Sequence, residues 1–162
     1  MRAEEPRWLS AEQQQIWRSW LLARDRIDRV LDADLRPHGL DLAEYEILVR
    51  LSEAPERRLR MSQLADQVHQ SRSRLTHTIA RMETALLVRR EKTASDGRGV
   101  VAVLTDAGMD LLIQVAPAHV ASVRRVFVDA VDPGDFVAVG RAMRAVLAAD
   151  PDPGARPPDQ PS

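Results

Sequence analysis

The sequence predicts a mainly α fold with one small β-hairpin. Three observations carry that expectation. Four helix-period segments precede residue 87, and two β-branched-rich runs then flank the turn-forming "ASDGRG". Two further helix-period segments close the chain. The 162 residues suit about one domain, and 44% hydrophobic residues with only six aromatics give an aliphatic core. Charged residues at 29% fit a folded chain with a solvated surface.

Each element has its own signals. Ser10-Ala-Glu-Gln13 is a capping box, and Ile16, Trp20, Ala23, Ile27 and Val30 then recur on one helix face that Leu31 and Leu35 widen. Pro37 and Gly39 stop this helix near Arg36. At 1.5 Å per residue it is roughly 40 Å long, more than a small domain needs, which suggests a helix shared between subunits. Asp41-Leu-Ala-Glu44 caps a second helix with Leu42, Tyr45, Leu48 and Val49 inside. "PERRLR" reads as a short exposed arm. Met61, Leu64, Ala65 and Val68 mark a compact third helix, and a turn at His69-Gln70 leads to a fourth with Ser71 as cap. Residues 87–93 and 100–104 form the hairpin. Thr105-Asp106 caps a long helix whose apolar seam is Leu112, Ala116, His119, Val123, Val126 and Ala130, with a kink expected at Pro117. Asp132-Pro133 opens the last helix, with Phe136, Val139, Met143 and Val146 on its apolar face. "DPDPGARPPDQPS" has the composition of a disordered tail.

Two short helices joined by a tight turn and followed by a β-hairpin make a winged helix-turn-helix. The domain expectation is a dimerisation helix over 1–40, a winged helix-turn-helix lobe over 41–104, dimerisation helices over 105–148 and a tail over 149–162. The outer helices carry apolar stripes with no evident intrachain layer to cover them, so the chain is expected to be a homodimer.

Charge distribution points the same way. The net charge is −1, yet ten Arg or Lys stand against four acids between Arg57 and Arg98, a local +6. A basic block between acidic flanks is the footprint of a nucleic-acid module on a neutral scaffold. On "HQSRSRLTHTIARM", a helical projection from Leu75 puts Ile79, Met82 and Leu86 at about 40°, 340° and 20°, a buried face. Ser73 and His77 fall opposite, with Arg72, Arg74 and Arg81 on the shoulders, and no acid intervenes before Glu83. Small hydroxyl residues between arginines allow close approach to a duplex, with arginine bonding guanine edges or phosphates. Ser71, Arg72, Ser73, Arg74, Thr76 and His77 are therefore expected at bases and phosphates of double-stranded DNA. Arg57, Arg58 and Arg81 are expected to add phosphate contacts. Arg98 at the hairpin tip, held by Asp96, is expected in a minor groove.

The segment "MSQLADQVHQSRSRLTHTIARMETALLVRREKTASDGRGVVAVLTDAG" resembles the winged helix-turn-helix of MarR-type transcriptional regulators. The matching pieces are "SQLAD", "SRSRLTHTIARME", "LVRR", the Asp-x-Arg-Gly wing and "LTDAG", and the likeness extends over residues 10–148. It implies a homodimer of triangular outline, with two recognition helices in successive major grooves of a pseudo-palindromic operator. It also implies a repressor released by a small, often aromatic and anionic, ligand. The ligand pocket of such proteins lies between dimer helices and DNA-binding lobe, which makes Trp17, Trp20, Arg18, Arg24 and His38 the candidates here. One residue departs from the family pattern: Leu86 stands where a glycine usually ends the recognition helix. A leucine there is expected to prolong the helix in right-handed form or to distort its end.

Other chemistries find little support. The chain has no cysteine, hence no disulfide or thiolate site. His38, His69, His77 and His119 form no metal-ligand spacing, and His119 reads as an interface histidine with its polar atoms satisfied. No nucleophile elbow or phosphate loop is present, so neither cofactor nor enzyme activity is expected. "MRAEEPRWLS" is acidic and unlike a signal peptide, and no apolar run approaches the roughly 20 residues of a membrane span. The expected setting is cytoplasmic, with no membrane partner. The alternatives are a winged-helix module that binds protein and an architectural DNA binder that needs no ligand.

Overall fold

The computed structural model describes residues 7–92 and 99–149. The expected residues of the hairpin tip, Asp96 and Arg98 among them, and those of the tail beyond 149 lie outside the described residues. Helix α1 spans Ala11–Leu35, α2 Leu42–Glu53, α3 Met61–Gln67, α4 Arg72–Thr84, α5 Asp106–Val123 and α6 Pro133–Ala148. Strands are β1 Arg58–Arg60, β2 Val88–Lys92 and β3 Val100–Leu104. Chain contacts divide the molecule into one compact unit ending at Val123 and a second starting at Arg124.

The caps form as their sequences dictate. Ser10 Oγ accepts from Gln13 N while the Gln13 side chain accepts from Ser10 N, and Asp41 and Glu44 do the same at α2. Gly39, at φ 75°, takes the left-handed turn after the 3-10 segment Arg36–His38. Asp32 bridges the corner: it accepts from Leu42 N at 3.1 Å and from Arg36 at 2.7 Å, which together hold its carboxyl below the ordinary range.

The core of the first unit gathers Leu35, Ile47, Leu48, Leu51, Leu64, Leu75, Ile79, Met82 and Val115, all essentially closed to solvent. Burial of each such side chain contributes about 1.5–3 kcal/mol before entropy is counted. Helix α5 packs on α1 and α2, and Ser122 Oγ donates to Asp34 Oδ2 at 2.5 Å, tying α5 to α1. Helicity is unbroken through Pro117, and a π-helical turn follows at Arg124–Val128. The helical run Asp106–Val128 is long and apolar enough, by length and composition, to cross a membrane. That corrects the expectation that no apolar run reaches such a length. In this fold the apolar residues of α5 include Leu112 and Val115, which join the core.

Two further expectations change. "PERRLR" is not simply an exposed arm: β1 pairs antiparallel with β3, so the hairpin becomes a three-stranded sheet of order β1-β3-β2. Leu59, facing Ala102, packs against the core and supplies the reason. The apolar stripe of α1 is buried toward its end, at Leu31 and Leu35, while Ile16, Trp17, Trp20 and Leu21 are exposed in the single chain, in keeping with a stripe that has no intrachain layer to cover it.

The other change concerns Leu86. It neither prolongs the helix nor joins the buried face. It sits at φ 60°, 72% exposed. Leu86 N donates to Glu83 O and Leu87 N to Met82 O, both at 2.9 Å, the bond pattern of a Schellman cap. Hydrogen bonding outweighs the roughly 1–2 kcal/mol that left-handed backbone costs a side-chain-bearing residue. The next residues reinforce it. Thr105 Oγ1 donates to Leu86 O at 2.7 Å and Thr105 N to Leu87 O at 3.1 Å, while Gly108 N donates to Thr105 Oγ1. Gly108 must lack a side chain, because a Cβ there would overlap the Leu87 carbonyl oxygen and lie 2.8 Å from Leu104 Cδ1.

Two stability outcomes follow from this corner. Gly108→Ala is expected to cost about 1–3 kcal/mol, since the obstacle is backbone that cannot swing aside. A urea midpoint equal to that of the parent would refute the close approach. Leu86→Gly is expected to gain up to about 1 kcal/mol, backbone relief being partly offset by greater freedom of the unfolded chain. A loss of stability in the same titration would show that the leucine side chain contributes packing.

Candidate nucleic-acid interface

Helix α4 is held down by Leu75, Thr78, Ile79 and Met82, all buried, as its periodicity dictates. Its outer side presents Ser71, Arg72, Ser73, Arg74, Thr76 and His77, every one exposed. Ser71 caps the helix by accepting from Arg74 N at 3.3 Å and lies 3.3 Å from Ser73 Oγ. Thr76 Oγ1 donates to Arg72 O at 2.8 Å. The first two turns thus form a low surface of hydroxyls flanked by guanidinium groups. Arg72 and Arg74 have no acidic partner among the described residues.

The other expected basic contacts are engaged within the fold. Arg81 binds Asp41 Oδ2 and Glu44 Oε1, each at 3.0 Å, and so grips the capping box of α2. Arg57 meets Asp106 at 3.2 Å. Arg58 meets Glu91 at 2.7 Å, and its Nε is buried without a hydrogen-bond partner. Sequence spacing concealed the Arg81 contacts, because Asp41 and Glu44 stand forty and thirty-seven positions away.

A tie between α4 and the sheet was missed altogether. Glu83 accepts from Arg90 N and Nε, both at 2.8 Å, and Arg90 Nη2 lies 2.6 Å from Glu83 Oε2. The Arg90 side chain foremost, with the backbone N–H and the guanidinium charge, holds the Glu83 carboxyl below its ordinary value. The pair fixes the start of the wing to the last turn of the recognition helix.

The expected ligand residues are brought together only in part. Trp17 and Trp20 stack at 5.3 Å, and Arg24 lies 5.9 Å from the Trp20 ring. Arg18 is exposed. His38 sits half-buried past the far end of α1, roughly 27 Å from Trp20 at helical rise. His119 departs from expectation: it packs on Tyr45 at 4.1 Å, and its Nδ1 is buried with no hydrogen-bond partner. Among the described residues, no group of three or more His, Asp or Glu is placed to hold a metal ion.

AbsC, a MarR family transcriptional regulator from Streptomyces coelicolor, has this fold, with a TM-score of 0.82 and 47% identity over 88% of this chain and 96% of its own. This chain belongs to the MarR family. A family model described as the MarR family matches residues 38–99, from the turn after α1 to the residue before β3. Sco3205, a MarR family transcriptional regulator from the same organism solved in complex with DNA, is 43% identical, with a TM-score of 0.84 over 90% of this chain and 91% of its own. BpsR from Bordetella bronchiseptica, whose DNA binding is regulated by 6-hydroxynicotinic acid, shares the fold at 17% identity. Its TM-score is 0.73, over 82% of this chain and 98% of its own. A comparison with curated proteins gave no match. MarR family members are transcription regulators rather than enzymes, which agrees with the lack of catalytic motifs in the sequence.

The Glu83–Arg90 tie predicts a pH dependence. A depressed folded value means that its stabilisation is complete above the ordinary 4.5 and is lost as pH falls through the lowered value. Glu83→Gln is expected to cost about 1 kcal/mol near neutrality, a modest figure because the pair is partly exposed. The difference from the parent should close in acid. Urea titrations at several pH values check this, and equal stabilities at neutral pH would remove the pair from the account.

Proposed function

We propose that this MarR family chain is a sequence-specific transcriptional repressor that binds a pseudo-palindromic DNA operator as a homodimer and releases it on binding a small ligand. The observation that carries the reading is the contrast among arginines. Arg57, Arg58, Arg81, Arg89 and Arg90 are occupied by acids, whereas Arg72 and Arg74 stand unneutralised on the exposed start of α4. A field left open there suits phosphates and base edges. Ser71, Ser73, Thr76 and His77 complete the contact surface, Arg98 reaches a minor groove, and Arg57, Arg58 and Arg81 add phosphate contacts.

Dimer formation is supported by the large apolar side chains left exposed in a single chain. Ile16, Trp17 and Leu21 on α1 are among them, as are Val137 and Val146 on α6. The separation of two recognition helices would then select operators with half-sites about one turn, ~34 Å, apart. For an aromatic acid, the Trp17–Trp20 stack with Arg24 offers a flat face and a positive charge, with Arg18 on the same helix and His38 beyond its far end. A soluble cytoplasmic protein is the setting that fits such a regulator.

Selection of bound genomic fragments should return a short inverted repeat. A protein-interaction module would select none, and an architectural binder would select no sequence. Arg72→Ala and Arg74→Ala are each expected to weaken operator binding and lower the salt slope by about 1. Arg98→Ala should act similarly. Arg81→Ala should lower thermal stability first. Affinity and slope unchanged in the Arg72 and Arg74 variants would reject this interface.

A further inference from the structure

The outward surface of α4 offers a one-sided set of hydrogen-bonding groups. From Ser71 to Met82 its polar side chains are Ser, Arg, Thr and His, and no Asp, Glu, Asn or Gln occurs. In the major groove a carboxylate accepts from the amino group of cytosine, and a side-chain amide pairs with both edge groups of adenine. The exposed start of α4 has neither. Gln70, in the turn before it, has its Oε1 buried. Arginine instead pairs with the O6 and N7 acceptors of guanine.

A helical projection from Leu75 divides the exposed residues into two flanks. His77 and Arg74 fall at about 200° and 260°, Thr76 and Ala80 at about 100° and 140°, and Arg72 at about 60°, nearest the buried face. On the first flank, Arg74 and His77 border a cavity of about 390 Å³ between α4 and the start of α2. The Asp41 carboxylate on that cavity lies 3.0 Å from Arg81 and is already neutralised. Arg74 has no ion pair among the described residues, so its donors remain for a base.

The second flank differs in kind. Thr76 Oγ1 donates to Arg72 O at 2.8 Å, so the hydroxyl proton is taken up within the helix. What Thr76 offers outward is its methyl group, one turn from the exposed methyl of Ala80. Two methyls four residues apart share a helix face and make a small apolar strip on a polar surface. The apolar group that base edges display in the major groove is the 5-methyl of thymine.

We propose that α4 reads guanine and thymine in each half-site. Arg74 bonds the O6 and N7 of guanine, with His77 beside it, and the methyls of Thr76 and Ala80 pack on the 5-methyl of a thymine. Arg72, nearest the buried face, meets phosphate and carries no base preference. The assignment rests on the operator binding proposed above and adds the bases to it.

Anisotropy titration of the full chain on the inverted repeat recovered by genomic selection tests this. Deoxyuridine in place of the contacted thymine in both half-sites removes two methyl groups, and affinity should fall about tenfold. Guanine replaced by 7-deazaguanine, which lacks N7, should weaken binding by a similar factor. Thr76→Ser, which keeps the hydroxyl, should lose most of the preference for thymine over deoxyuridine, while Thr76→Val, which keeps a methyl, should retain it. Arg74→Ala should bind natural and deaza operators alike, whereas Arg72→Ala should weaken both and keep the difference. Equal affinity for thymine and deoxyuridine at every half-site thymine would overturn the methyl contact. A guanine preference retained in Arg74→Ala would overturn the role of that arginine. A recovered repeat insensitive to both analogues overturns the assignment alone, whereas recovery of no repeat overturns operator binding and the assignment with it.

Discussion

The Leu87 carbonyl is the point on which the DNA-binding lobe depends. It accepts from both the backbone and the hydroxyl of Thr105, while Leu86 O accepts from the same hydroxyl. Three elements end or begin within these few atoms: the recognition helix, the first wing strand and α5. Hydrogen bonds set their mutual angles more sharply than apolar contact does, because they fix direction as well as distance. Gly108 completes the corner by allowing the first turn of α5 to approach the Leu87 backbone. The left-handed Leu86 is retained because the hydrogen bonds around it compensate the backbone strain, and its exposed side chain asks nothing of the core. The Glu83–Arg90 pair lies next to this corner and carries the same constraint outward into the wing.

Electrostatics then distribute what the corner positions. A chain of net charge −1 presents a usable positive face only if its acids are placed elsewhere. Here the acids nearest the basic block neutralise particular arginines: Asp41 and Glu44 hold Arg81, Asp106 holds Arg57 and Glu91 holds Arg58. Such partly exposed pairs contribute little to stability individually, about 0–1 kcal/mol each. Their larger effect is on the field. They orient side chains that would otherwise sample many rotamers, and they leave Arg72 and Arg74 as the strongest uncompensated charges on α4.

Much of this was legible in the sequence because it is local. The Ser10 and Asp41 capping boxes, the Ser71 cap and the buried face of α4 each depend on residues within one or two helical turns. What was not legible depends on distant atoms. "PERRLR" becomes a strand only because β3 offers it an edge more than forty residues later. Leu86 violates a local preference that Thr105, nineteen positions on, helps to overrule. The role of Gly108 is invisible without the Leu87 carbonyl beside it. The charge count marked the basic block correctly, but it could not show which of its arginines find acids. His119 fell on the apolar seam as expected, while the open nitrogen and the Tyr45 ring at its side require the packed helices.

The two ends of the recognition helix differ in a way that bears on control. Its last turn is bound by the Schellman cap, the Thr105 bonds and the Glu83–Arg90 pair, all directional. Its first turn follows a short connection through His69, whose φ of 51° is a strained choice for a residue with a side chain. The cleft lined by Tyr45, Glu46 and His119 opens beside that connection, with His69 on its edge. A ligand shifts a conformational equilibrium only by the difference in its affinity for the two states. The place where such a difference arises most readily is the end with fewer directional bonds and a cleft at its side. Motion of α4 would then pivot about Leu86 and Leu87, and Arg72 and Arg74, at the opposite end of the helix, would travel farthest.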